Sequence, residues 1–358
     1  MSTQFFCGVD LAKHHFSLHA VDDHGKVILH KSVSRAKLLA TLANMPTMCI
    51  GIEACSGAHY WAREFNKLGH DTRIMAAKYV GPYRTKGKND LNDAVAICDA
   101  VQRPNSRFIP VKSPERQAIL AIHRVREHWV NERTALINRI RALLAEFGII
   151  IPTGRAAVHR QVPLILEAAE NGLPDIARAV VADCFDHLQT LNQRIDDTEQ
   201  CFDMVTKASP NAQRILNVRG IGPQTATAII ATIGKGEQFD SGRDFAAWLG
   251  LVPKQYSTGG KPRLGRISKR GDKYLRTLLV HGARAVITNL GDKQDRLSVW
   301  GRNILERRGM NRAIVALAAK NARIVWALLH HQTDYQDTEN QQFIVLIHWD
   351  DCDNLSSF

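Results

Sequence analysis

The chain has 358 residues, 45% of them hydrophobic, which suffices for two or three domains with buried cores and excludes a wholly disordered protein. Its 47 Lys and Arg outnumber its 35 Asp and Glu, and the formal net charge of +12 favours a polyanion such as nucleic acid as partner. Charge alone leaves open the alternative of a merely basic soluble protein.

The cysteines and the distribution of apolar residues indicate the cellular compartment of the protein. The seven cysteines are odd in number, dispersed and without a Cys-x-x-Cys pair, so we expect neither a disulfide framework nor a structural zinc site. Asp10 and Lys13 interrupt the apolar N-terminus, and we expect no later apolar run to span a bilayer. The sequence therefore predicts a cytoplasmic protein with no membrane partner.

The N-terminal part has the pattern of an α/β domain. Alternating and apolar runs predict strands over residues 5–10, 15–21, 26–33, 47–53 and 72–76. Helical periodicity predicts helices over residues 58–68 and 90–101. This order resembles a ribonuclease-H-like core.

Two long helices are expected next, over residues 113–147 and 174–207. Apolar residues in the second fall near heptad spacing, so the two helices are predicted to form an antiparallel coiled hairpin, with a seam that serves self-association. An intramolecular helical spacer fits the same pattern.

From residue 215 the composition changes to Gly- and Ala-rich helices, a basic loop over residues 252–273 and further helices to about residue 329. We expect a ribonuclease-H-like domain over 1–110, a coiled-coil region over 111–208, a mostly helical domain over 209–330 and a tail of unassigned role over 331–358.

Four acids occupy positions that suit a divalent metal. Asp10 ends the first strand, Glu53 ends the fourth, and Asp90 and Asp93 lie three residues apart at a helix start. Carboxylate oxygens are the ligands that Mg²⁺ prefers, so the four predict a metal site of catalytic residues. Each acid alone is more often a turn residue or a helix cap, and a capping role is natural for Asp90.

Residues 216–226 have the form of a helix-hairpin-helix. Its Gly220-Ile221-Gly222 turn, beside Arg219, would present backbone N–H groups to a phosphate without reading sequence. A glycine-bearing turn between packed helices is the alternative.

Residues 250–276 combine glycines with many cations around Ser257. Such a segment is suited to hold a phosphate and stabilise its developing charge, and Ser257 is a candidate nucleophile. From the residues alone, a serine that only hydrogen-bonds a phosphate fits better. The candidate nucleic-acid contacts here are Lys254, Lys261, Arg263, Arg266, Lys269, Arg270 and Arg276.

Taken together, these segments resemble a known family. The Gly8-Val9-Asp10 and Gly51-Ile52-Glu53 strands, residues 88–94, the helix-hairpin-helix and residues 250–261 are similar in order and spacing to the DEDD transposases of bacterial insertion sequences. The likeness is to family one-hundred-and-ten and its eleven-eleven subgroup, and it covers the chain to about residue 329.

The resemblance implies a RuvC-like N-terminal domain (the DEDD domain) over 1–110 and a C-terminal transposase domain. It further implies a recombinase that uses Mg²⁺ on Asp10, Glu53, Asp90 and Asp93, with Ser257 as the nucleophile. It also implies donor and target DNA as partners, guidance by an element-encoded structured RNA (a bridge or seeker RNA) and a dimer to tetramer. Two alternatives stay open. One is a hydrolytic Holliday-junction-type nuclease that uses the acids and metal alone. The other is a non-enzymatic nucleic-acid-binding protein.

Overall fold

A computed structural model describes residues 4–84, 87, 89–103, 107–256 and 263–335 of the chain. The chain divides after Pro114 into two compact units. The first unit is a mixed α/β structure and the second is mostly helical. The expected domain limits at residues 110, 208 and 330 stay predictions.

The first unit contains six strands and four α-helices within its described residues. In chain order these are β1 Phe5–Leu11, β2 His15–Val21, β3 Val27–Ser34, α1 Leu38–Ala43, β4 Met48–Glu53, α2 Ala58–Lys67, β5 Asp71–Met75, α3 Ala77–Val80, α4 Asp90–Val101 and β6 Phe108–Ile109. The strands form one sheet in the order β3-β2-β1-β4-β5-β6. β1 pairs parallel with β4, and β4 with β5, whereas β1–β2, β2–β3 and β5–β6 are antiparallel.

The two faces of this sheet carry different layers. Cys7 and Val9 of β1 belong to a buried core with side chains of α1 and α2. The alternate residue, Gly8, lies against α4, as does Gly51 of β4. Because side chains two apart along a strand share a face, Asp10 and Glu53 lie on the α4 face.

The second unit contains nine α-helices and a short hairpin among its described residues. In chain order these are α5 Pro114–Ala145, α6 Arg155–Glu167, α7 Asp175–Ala208, α8 Pro210–Leu216, α9 Pro223–Ile233, α10 Gly242–Trp248, β7 Pro253–Gln255, β8 Leu264–Ile267, α11 Lys273–Thr288, α12 Arg296–Arg308 and α13 Met310–His331. Four of these helices begin at a side-chain cap, since Ser209, Ser241, Asp272 and Asp295 accept hydrogen bonds from the first-turn amides of α8, α10, α11 and α12.

The two long helices run antiparallel within the chain. Arg126 of α5 pairs with Glu199 of α7 at 2.7 Å, and farther along Glu132 contacts His187 at 3.0 Å. Leu136, Ile140 and Leu144 share a buried core with α7 side chains. The antiparallel arrangement is therefore as expected, whereas the coiled-coil geometry and the self-association surface stay predictions.

The helix α13 is long and apolar enough to cross a membrane by length and composition alone, a run that the sequence analysis did not identify. Most of it is buried among other helices of the second unit, with Leu317, Ala318 and Val325 fully enclosed. This burial is that of a core helix in a folded unit.

Most predicted elements are present, with limits that differ by a few residues. The prediction was wrong in several places. It missed the short elements α1, α3 and β6 and the 13-residue helix α6, and it treated residues 252–273 as loop although they contain the antiparallel strands β7 and β8. These strands have three and four residues, too few for the period of two to stand out among glycines and cations.

Candidate functional site

The ends of two neighbouring parallel strands carry the first two acids. Gly8 pairs with Gly51 and Val9 with Ile52, so Asp10 and Glu53 follow at the same edge of the sheet. Both side chains lie on the face that α4 covers. The sequence prediction that two strands bring their terminal carboxylates together is therefore consistent with the register.

The first turn of α4 brings Asp90 and Asp93 to the same edge. The helix cap is Asn89, whose side chain accepts hydrogen bonds from the amides of Leu91 at 2.8 Å and Asn92 at 3.2 Å. The capping alternative for Asp90 is thus wrong, because Asp90 is the first helical residue and its carboxylate is not used by the cap. Asp93 is only 8% exposed.

Asp10, Glu53, Asp90 and Asp93 together are called the acidic cluster. Burial and then the negative charges of Asp93, Asp90 and Glu53 together raise the pKa of the Asp10 carboxyl to about 6, although the Arg84 charge opposes them. Coupling of Asp10 to all three other acids means that the fold gathers the four carboxylates into one electrostatic site.

Arg84 is the residue of this site that the sequence analysis missed. It follows a 3-10 turn, Gly81–Tyr83, and its guanidinium bridges two members of the acidic cluster. Nη2 lies 3.0 Å from Glu53 Oε2, and Nε lies 2.8 Å from Asp93 Oδ1. A lone arginine in a basic stretch carries no sequence signal for this contact, which depends on the packing of α4.

The donor set of the acidic cluster fits a divalent cation. Four carboxylates supply the hard oxygen ligands that Mg²⁺ and Mn²⁺ require. Asp93 Oδ1 is buried and accepts no hydrogen bond with good geometry from a described residue, so its contact with Arg84 is an ion pair only. In the described part of the chain, no three His, Cys, Asp or Glu side chains converge closely enough to hold a metal as they stand.

The predicted helix-hairpin-helix turn lies between α8 and α9. Gly220 has a φ of +91° and packs against the backbone of Gly282 in α11, where a β-carbon would come within 2.9 Å of the carbonyl oxygen. Gly222 caps α9 through its backbone only and has open space around it. The turn therefore packs closely at Gly220, and at Gly222 it begins a helix that has no side-chain cap.

Arg219 is engaged within the second unit. Its Nη1 lies 2.8 Å from Asp295 Oδ1 and donates a hydrogen bond to Ser298 Oγ at 3.2 Å. Asp295 is also the cap of α12, so Arg219 ties the turn to the start of that helix. The nucleic-acid contact predicted for Arg219 stays a prediction.

A buried polar chain lies under the start of α9. Gln224 donates to the Tyr274 hydroxyl at 3.0 Å, and the Tyr274 hydroxyl lies 3.0 Å from His123 Nδ1. His123 Nε2 lies 3.1 Å from Thr227 Oγ1, which itself donates to the Pro223 carbonyl at 2.8 Å. These directions assign a neutral ring with its proton on Nε2. Burial and then the Arg126 charge lower the pKa of His123 to about 4.

The basic segment is carried by the β7–β8 hairpin. Ser257 and Lys261 lie outside the described residues, between β7 and β8 in sequence. Of the other predicted contacts, the exposed side chains are Lys254, Arg263, Arg266, Lys269 and Arg270. Arg276 differs, because its Nη1 donates to the carbonyls of Leu249 at 2.8 Å and Arg270 at 2.9 Å. It therefore fastens the base of the hairpin to α10.

The backbone at the base of this hairpin is tightly packed. The Ser268 amide donates to the Val252 carbonyl at 2.8 Å, and the Lys269 amide donates to the Gly250 carbonyl at 3.1 Å. Gly250 has a φ of +71°, and a β-carbon there would overlap the backbone of Arg270. The exposed cations Arg266, Lys269 and Arg270 therefore lie in or beside a tightly packed stretch of backbone.

The two family models that match this chain and the three relatives described below are all transposases by description. Residues 7–149, which include the acidic cluster, match a family model described as "Transposase", of the DEDD type associated with IS110. Residues 212–297, which include Gly220, Gly222 and Ser257, match the model "Transposase IS116/IS110/IS902 family".

Individual relatives agree over nearly the whole chain. The chain is 47% identical to a "Probable family 20 transposase" of Pseudomonas aeruginosa, over 92% of this chain and 98% of the relative. It is 42% identical to the transposase of insertion sequence element IS1111A of Coxiella burnetii, over 92% and 90%. It is 39% identical to the transposase of IS1328 of Yersinia enterocolitica, over 90% and 95%.

Proposed function

Because the chain belongs to the IS110/IS116/IS902 family of transposases, we propose that it cuts and rejoins DNA strands of an insertion sequence through Ser257. The family implies an enzyme with DNA cleavage and strand-transfer activity and a divalent metal. The observation that carries the proposal is the meeting of four carboxylates from β1, β4 and α4 at one edge of the sheet.

The first unit is proposed to have a ribonuclease-H-like, RuvC-like fold. The sheet order β3-β2-β1-β4-β5-β6, with an antiparallel β1–β2–β3 meander beside parallel β1, β4 and β5, supports this assignment. The α8–turn–α9 segment is the proposed helix-hairpin-helix, and its uncapped α9 start supports a phosphate contact at Gly220 and Gly222.

The acidic cluster is the proposed Mg²⁺ site, held by Asp10, Glu53, Asp90 and Asp93. When bound there, the metal would neutralise the charge that develops on the scissile phosphate. The residues supply the rest of the arrangement. The β1–β4 pairing fixes Asp10 and Glu53 relative to each other, while the Asn89 cap holds the first turn of α4 and hence Asp90 and Asp93.

Ser257 is the proposed nucleophile. Its Oγ would attack the phosphorus, forming a phosphoserine ester while the bond from phosphorus to one strand's oxygen breaks and that strand leaves as an alcohol. The free hydroxyl of the incoming strand then reverses the step, so no external energy is needed for rejoining. Exposed cations on β8 and beside it, including Arg266 and Arg270, support a role in neutralising the phosphate backbone.

The proposed partners are donor and target DNA and a structured guide RNA encoded by the element. The net charge of +12 supports polyanionic partners, and the RNA follows from the family resemblance. Assembly as a dimer to tetramer, with the antiparallel α5–α7 pair as the contact, and a cytoplasmic location complete the proposal.

A suicide DNA substrate tests the nucleophile. We expect a covalent protein–DNA adduct on denaturing gels that persists in Thr258→Ala and is lost in Ser257→Ala. Loss in Thr258→Ala alone would move the nucleophile to that residue. Cleavage without an adduct that survives in Ser257→Ala would refute the serine mechanism and favour hydrolysis by water at the acidic cluster.

A further inference from the structure

Arg84 forms ion pairs with two carboxylates of the acidic cluster, those of Glu53 and Asp93. We propose that its guanidinium is an internal counter-ion that competes with the divalent cation for Glu53 and Asp93. The inference rests on the proposed metal site and adds a residue that controls its occupancy.

The charge balance of the site calls for such a counter-ion. Four ionised carboxylates at one sheet edge repel one another, and each needs a nearby positive charge or water. Among the described residues, Arg84 forms ion pairs with Glu53 and Asp93, whereas neither Asp10 nor Asp90 has an ion-pair partner. One guanidinium therefore offsets part of the negative charge and leaves a net attraction for a cation.

The competition follows from which side chains are used. Arg84 contacts Glu53 through Oε2 and Asp93 through Oδ1, and a metal held by the whole cluster would use carboxylate oxygens of the same two side chains. A guanidinium keeps its proton throughout the physiological range, so loss of charge cannot release it. Release must come from exchange with another cation.

The position of Arg84 permits this exchange. Its side chain is 36% exposed, so the side chain borders water, into which the guanidinium can move. Its backbone amide donates to the Gly81 carbonyl at 3.1 Å, which anchors the main chain while the side chain moves. Glu53 and Asp93 need only reorient, since β4 and α4 hold their backbones.

The proposal predicts the direction in which metal affinity changes when the Arg84 charge is removed. Removing a positive charge from an anionic site should tighten binding of a divalent cation, by about tenfold for two charge-assisted contacts that are partly exposed. A purely supporting arginine would have the opposite effect, because the carboxylates would lose their arrangement and bind metal more weakly.

The experiment is a Mn²⁺ titration of the full chain without nucleic acid, following free Mn²⁺ by its electron paramagnetic resonance signal. The variants are Arg84→Gln and Arg84→Lys, with Glu53→Gln to identify binding at the acidic cluster. Arg73→Gln is the matched control, since Arg73 is a partly exposed arginine of the same sheet that pairs with Asp71 at 2.8 Å.

Arg84→Gln should bind Mn²⁺ about tenfold more tightly than the wild type, and Arg84→Lys more tightly by a smaller factor, because one ammonium replaces the two-sided guanidinium. Arg73→Gln should match the wild type. Unchanged or weaker binding in Arg84→Gln would overturn the inference, and if that variant does not fold, unchanged binding in Arg84→Lys would do so.

The same titration separates this inference from the metal site itself. If Glu53→Gln loses Mn²⁺ binding and Arg84→Gln behaves as the wild type, the metal site stands and the role of Arg84 is refuted. If Glu53→Gln binds Mn²⁺ as the wild type does, the acidic cluster is not the metal site and both proposals fail.

Discussion

Gly8 of β1 lies directly against the backbone carbonyl of Ala94 in α4, with no room for a side chain between them. This contact allows α4 to approach the sheet closely. Because Asp93 precedes Ala94 in the helix, the same contact sets the depth at which the helical acids meet Asp10 and Glu53.

Gly8→Ala should therefore destabilise the first unit, by roughly 1–3 kcal/mol, because the added methyl group overlaps backbone atoms that cannot move independently. Urea unfolding of the full chain measures the change. Gly81→Ala is the control, since Gly81 has open space around it and a helical φ, and it should stay within about 0.5 kcal/mol of the wild type. Equal stability of the two variants would contradict the packing argument.

His123 predicts a pH dependence of the second unit. Its folded pKa of about 4 lies below the ordinary value of 6.5, so protonation favours the unfolded chain. The contribution of the neutral ring is complete above about pH 6.5 and is lost as the pH falls through about 4. The loss should reach about 3 kcal/mol near pH 4.

The variant His123→Gln should unfold more easily at pH 7 yet lose less stability between pH 7 and pH 4 than the wild type. Its amide still offers one donor and one acceptor but does not titrate. Replacing the exposed His281 by Gln is the control and should keep the wild-type pH dependence. If the free energy of unfolding depends on pH in the same way for His123→Gln and the wild type, the His123 ring is not buried in its neutral form.

The exposed cations around the hairpin predict a change in salt dependence. Replacing Lys254, Arg266 and Arg270 by Gln should reduce the slope of log affinity for duplex DNA against log salt by about 2 to 3, at about 0.9 per phosphate contact. Replacing the exposed Lys26, Lys31 and Lys37 removes the same charge from the first unit and should change the slope less. Equal slopes for the two triple variants would remove the hairpin as a nucleic-acid surface.

The acidic cluster shows what sequence reasoning can and cannot reach. Asp10 and Glu53 were predictable because each lies at the end of an apolar strand. Side chains alternate between the two faces along a strand, which fixes the face on which each acid lies. Asn89 as the cap of α4 was not separable from Asp90, since both are good caps one residue apart. Arg84 had no signal, because its contact depends on how closely α4 packs on Gly8 and Gly51.

In the second unit too, helices were predictable from the sequence, whereas a long-range contact was not. The long helices α5 and α7 were predictable from their periodicity over more than thirty residues each. Arg219 was predicted to contact nucleic acid, which stays a prediction, but its pairing with Asp295, 76 residues farther along the chain, had no sequence signal. Local charge density cannot distinguish a solvent-facing arginine from one that a distant carboxylate engages.

The central claim is that the acidic cluster is the site of DNA cleavage, and Mg²⁺-dependent cleavage of the element's DNA by Asp10→Asn and Asp93→Asn tests it most directly. We expect both variants to lose activity by more than about a hundredfold while retaining DNA binding, since each removes a carboxylate charge from the proposed metal site without changing the shape of the side chain. Asp71→Asn, at an exposed acid of the same sheet that pairs with Arg73, should cleave as the wild type does. Wild-type cleavage by Asp10→Asn and Asp93→Asn would contradict the account.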